Sequence, residues 1–109
     1  MKTLDLVLKK KWYDMIDSGE KMEEYREAKP YWVKRLTLLP DGILLFSYRN
    51  GYQPIPFKDF THVTFHLGYA KNRPSMTFAI KEMVYDNGNP KWGAEDDKFY
   101  FVIRLGGRL

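Results

Sequence analysis

A chain of 109 residues, 44% hydrophobic and 17% aromatic, holds enough apolar material for one packed domain spanning 1–109 and too much for a disordered tail. Eighteen Lys and Arg against fourteen Asp and Glu give a formal charge of +4, which suits phosphate-bearing partners without demanding them. The lack of cysteine excludes disulfides, thiolate zinc sites and a thiol nucleophile.

The charge is spread evenly, with nine basic and seven acidic residues in each of 1–40 and 41–109. Its one dense run, Lys9-Lys10-Lys11, points in three directions on a helix and reads as a solvated face. No apolar run approaches the roughly 18 residues that a membrane span needs. Leu4–Leu8 is also too short and interrupted for a signal segment. The expectation is a cytoplasmic chain with no membrane partner.

Leu4, Leu6 and Leu8 alternate with Asp5 and Val7 as in a short strand. From Lys9 to Ser18 the period becomes helical, with Trp12, Met15 and Ile16 on one face. Gly19 stands where a left-handed cap ends such a helix. A strand over Met22–Glu27 would set Met22, Glu24 and Arg26 on one face, with Glu24 and Arg26 close enough to pair. Lys21 reaches that face only from the turn after Gly19. Pro30 suits the first turn of a second helix that turns Trp32, Val33 and Leu36 inward.

Pro40-Asp41-Gly42 signals a turn, and Ile43-Leu44-Leu45-Phe46 reads as a buried strand after it. Asn50-Gly51 is a further turn, and Pro54 and Pro56 forbid a central strand beyond it. Strands are expected over Thr61–Leu67, Met76–Tyr85 and Phe99–Leu105; in the last, Phe99, Phe101, Ile103 and Leu105 alternate with Tyr100, Val102 and Arg104. A polar excursion around Trp92 separates the latter two, with Trp92 expected as a loop anchor. Five or six strands with helices confined to the first third give an α+β domain.

Gly19-Glu20-Lys21-Met22-Glu23-Glu24-Tyr25-Arg26 reads G-x-K-x-x-E-x-R, the signature of the ASCH domain. The strand–helix–Gly unit before it and the closing Phe99–Gly106 segment also resemble that family. The resemblance implies a small PUA-like β-barrel of five to six strands with two short N-terminal helices. It further implies a cleft, holding Lys21, Glu24 and Arg26, that receives RNA or a modified nucleoside or nucleotide. In such a cleft Arg26 offers a planar fork to a phosphate or base edge, while Glu24 orients it. Some ASCH-like proteins resemble amidohydrolases that deacylate N4-acetylated cytidine. In that enzymatic alternative Lys21 would serve as base, and Glu24 would activate water. The hydrolase branch, however, carries Thr where this chain has Glu24, which removes a covalent route through that residue, and Glu82 is only a positional candidate for its second carboxylate. A protein-interaction adaptor is the third alternative.

Tyr48, Arg49, Asn50 and Tyr52 place aromatics beside a guanidinium, as in readers of single-stranded RNA, although a solvent-facing turn explains them equally well. Tyr69, Lys71 and Arg73 make a weaker version of the same case. His62 and His66, on one strand face, would stand roughly 13 Å apart, too far to share an ion. No metal and no cofactor is expected.

Overall fold

The structure, a computed structural model, describes residues 1–43, 45, 48, 54–69 and 71–109. Among these residues the chain runs β1 (Thr3–Leu8), α1 (Lys10–Asp17), β2 (Glu23–Glu27), α2 (Pro30–Leu36), β3 (His62–Leu67), β4 (Ser75–Asn87), a 3₁₀ turn (Pro90–Trp92) and β5 (Phe99–Arg108). The strand order is β1-β3-β4-β5-β2, so the class is α+β, with α1 and α2 in the first third. No helix among the described residues is long and apolar enough to cross a membrane.

The backbone resolves into two compact units. The first comprises Met1–Met22, Asp59–Glu82 and Arg104–Leu109. Its core is a ladder read directly from the period of two. β1 pairs parallel with β3, and β3 pairs antiparallel with β4. In this register Leu4, Val63 and Phe78 line up as one row across the three strands and Leu6, Phe65 and Met76 as another; all six are buried. Removing each such side chain from water contributes roughly 1.5–3 kcal/mol. The opposite face is polar, as expected for one-sided strands. There Thr64 and Thr77 hydroxyls bond at 2.7 Å, and His66 Nε2 lies 2.8 Å from Asp5 Oδ1.

α1 packs against β3 and buries Tyr13 and Ile16. Tyr13 replaces the expected Trp12 and Met15 as the second buried residue; those two are only half-buried. Burial together with the nearby Asp17 raises the Tyr13 pKa. Ser18 donates its backbone N–H to Asp14, and Gly19 follows at φ +85°, the left-handed cap its position in the sequence implied.

The second unit comprises Glu23–Lys58 and Met83–Ile103. Here β5 departs from one-sided alternation, because Tyr100, Phe101, Val102 and Ile103 are all buried. Tyr100 and Val102 form a small core with Tyr25 and Ala94, against which Val84 and Trp92 pack. Trp92 is therefore the anchor expected of it. On the other side Phe101 meets Phe57 edge-on at 5.7 Å and Tyr85 at 5.6 Å.

Pro30 opens α2, which buries Val33 and Leu36 and ends in Lys34 and Arg35, cations favourable at a helix C-terminus. Asp41 and Gly42 form the expected turn, but Ile43 and Leu45 lie in no strand; Leu44 and Phe46 fall outside the described residues. A short apolar run specifies burial rather than pairing, and Ile43 instead lines a cavity of about 130 Å³ with Ala28, Pro30 and Val33. Just after Pro54 and Pro56, Phe57 forms an isolated bridge with Thr37.

Candidate functional site

The motif's carboxylate and guanidinium meet as the strand period requires. Glu24 and Arg26, two residues apart on β2, project to the same side, and Arg26 Nη1 donates to Glu24 Oε2 at 2.7 Å. The same Nη1 donates to the Tyr25 carbonyl at 2.7 Å. Glu24 is only 4% exposed, and the Arg26 side chain 16%. The intervening Tyr25 faces the core, where its hydroxyl donates to Glu23 Oε1 at 2.7 Å and accepts the Asn89 N–H at 2.9 Å. Burial, reinforced by Glu23 and opposed by the Asn89 N–H, pushes the Tyr25 pKa well above the ordinary tyrosine value.

Arg26 does not stand alone on its side of β2. Its guanidinium carbon lies 5.2 Å from the centroid of Trp32, and that of Arg35 lies 5.5 Å from the same ring. Tyr31 meets Trp32 edge-on at 4.8 Å, and its hydroxyl accepts from Arg35 Nη1 at 3.3 Å. The helix period brings Tyr31 and Arg35 together at i, i+4 and Trp32 and Arg35 at i, i+3. Trp32 is half-buried rather than fully inward, an amphipathic indole at the edge of the core. Trp32, Arg35 and Tyr31 are thus site residues that the apolar period assigned to helix packing or passed over. The Tyr31-x-x-x-Arg35 spacing was the signal that could have found the latter two.

At the end of β2 a surface network forms. Glu27 accepts from Lys29 at 3.1 Å and Lys98 at 3.3 Å, and Lys98 also reaches Glu95 at 3.2 Å. Lys29 first, then Lys98, holds the Glu27 carboxyl below the usual carboxylate range. A depressed folded pKa gives stability that is present above the unfolded value and lost as pH falls through the folded one. Exposure keeps that contribution small. Changing both lysines to alanine is expected to return the Glu27 carboxyl to ordinary titration, followed by NMR; an unmoved midpoint would contradict the assignment.

Lys21 follows the Gly19 turn and lies in no strand. It belongs to the first unit, where it is 2% exposed, donates its N–H to the Met15 carbonyl at 2.9 Å and sets its ammonium 4.5 Å from the Trp12 centroid. Lys11 approaches the same ring at 4.7 Å, while Lys10 pairs with Asp14 at 2.7 Å. Glu82 is paired with Arg104 at 2.7 Å. His62 Nδ1 bonds Thr61 and His66 bonds Asp5, each with a separate partner. No cluster of metal ligands occurs among the described residues.

Tyr48 is half-buried and lines a cavity of about 240 Å³ with Ile55, Phe57, Met83 and Tyr85. Its companions Arg49, Asn50 and Tyr52 lie outside the described residues. Tyr69 is exposed, whereas Arg73 donates to the Gly68 carbonyl at 2.8 Å. No family model, curated protein sequence or solved structure matches the chain.

Proposed function

We propose that this chain is an ASCH-type, PUA-like domain that binds RNA or a nucleotide-like ligand on the Glu24–Arg26–Trp32 face. The observation that carries the reading is the convergence of two guanidiniums on one half-buried indole, with one of them oriented by a buried carboxylate. Aromatic faces accept bases of any identity, and arginine forks match phosphate oxygens and base edges. A buried ion pair adds little net stability relative to apolar side chains of the same size, so stability alone gives little reason for placing one there. The Gly19–Arg26 motif supplies the family side of the proposal.

The test is the salt dependence of binding to a short degenerate single-stranded RNA, followed by tryptophan fluorescence. Affinity should fall with salt at a log–log slope of about −0.7 per phosphate contacted. Arg26→Lys retains the charge beside Glu24 but loses the planar fork, and should weaken binding about tenfold. Binding that ignores both salt and this substitution would exclude the proposal.

A further inference from the structure

We infer that α2 extends this site into a ledge for a second nucleotide, with Tyr31 as a stacking platform and Arg35 as a phosphate contact. The ligand is then an RNA strand of at least two nucleotides rather than a lone nucleoside. The inference rests on the reading of Glu24, Arg26 and Trp32 given above. It goes further in naming the size of the ligand and the residues that set it.

Tyr31 is 62% exposed. It is nevertheless not loose. Its ring abuts the Trp32 edge at an interplanar angle of 87°, and its hydroxyl is held by Arg35. Val33 and Leu36, on the buried side of α2, fix the helix that presents it. A rigid, accessible ring beside a guanidinium is the arrangement on which an unpaired base stacks while its phosphate is held.

Charge selects the occupant. Residues 29–40 contain Lys29, Lys34 and Arg35 and no acidic residue. Arg26 and Arg35 share one indole, so a single strand passing over Trp32 meets both cations. A strand that carries both flat bases and phosphates answers the exposed Tyr31 ring and the guanidinium beside it together.

The test titrates the whole protein with a mononucleotide, cytidine 5′-monophosphate, and with a degenerate RNA hexamer. The hexamer should bind at least about tenfold more tightly. Tyr31→Ala should weaken the hexamer about tenfold more than it weakens the mononucleotide. Arg35→Ala should reduce the salt slope by about 0.7. Thermal melting of both variants checks that the fold is retained. If Tyr31→Ala leaves the hexamer unaffected while Arg26→Lys still weakens it, the ledge is wrong and the Arg26 site stands. If neither ligand binds the wild type, both ideas fall. Saturable binding to vesicles containing phosphatidylserine, without RNA binding, would overturn the inference and assign the ledge to a lipid surface.

Discussion

Replacing Glu24 with alanine is expected to destabilise the protein by about 3–5 kcal/mol, the usual cost of breaking a buried pair from one side. The carboxylate is almost wholly out of water and meets a guanidinium that is itself largely buried. Alanine deprives Arg26 of that counter-charge while the Tyr25 carbonyl, a neutral acceptor, remains. The Arg26 charge must then be rehydrated, and β2 must open to let water reach it. Glu24→Gln keeps an acceptor without the charge and should fall between the two. Arg26→Ala should be costly for the mirror-image reason. The double variant should cost less than the sum of the singles, since it removes both charges together. Urea unfolding of the four proteins at constant slope measures this coupling. Additive losses would show that the 2.7 Å contact carries no energy.

Gly88→Ala is expected to cost about 1–3 kcal/mol through overpacking, lowering the melting temperature by on the order of 10 °C. A Cβ built at Gly88 would lie 2.5 Å from the Ala94 Cβ, and 2.8 and 2.9 Å from Cε1 and Cζ of Tyr25. Neither neighbour yields cheaply. The Ala94 methyl has no rotamer to change. The Tyr25 ring is held by hydrogen bonds to Glu23 and Asn89 and lies against Tyr100 at 5.7 Å. Gly107→Ala is the control, because nothing lies within 4 Å of its added carbon. It should be close to neutral. Equal melting temperatures for the two variants would contradict this account of the Tyr25 core.

The elements governed by local rules were legible in the sequence. Leucines at every second position give β1, and a glycine after a helical period gives the left-handed turn at Gly19. Spacing of two on a strand gives the Glu24–Arg26 contact. What was not legible depends on chain reversal. The motif places Lys21 in a cleft, and nothing in its neighbours Glu20 and Met22 marks it for burial against Trp12, which follows from the Gly19 turn folding it back over α1. Trp32 falls at the correct spacing for the helix core, but the period defines a face and not its border. Only the meeting of α2 with β2 reveals that the indole sits at that border under two arginines. The two-sided burial of β5 was hidden for a similar reason. Tyr100 and Val102 look like the outer face of an alternating strand until the Trp92 excursion supplies Ala94 and Trp92 to cover them.

Most of the site proposed here therefore comes from tertiary contacts of residues whose types were already visible. Its central claim is that Arg26, Trp32 and Arg35 form one receiving surface for nucleic acid. The most direct test is an amide-shift NMR titration of the protein with a short degenerate single-stranded RNA. The account predicts saturable shifts concentrated on residues 24–26 and 31–35, weakened in Arg26→Lys and by added salt. Shifts absent at low salt and near-millimolar RNA, or confined to β1 and β3, would contradict it.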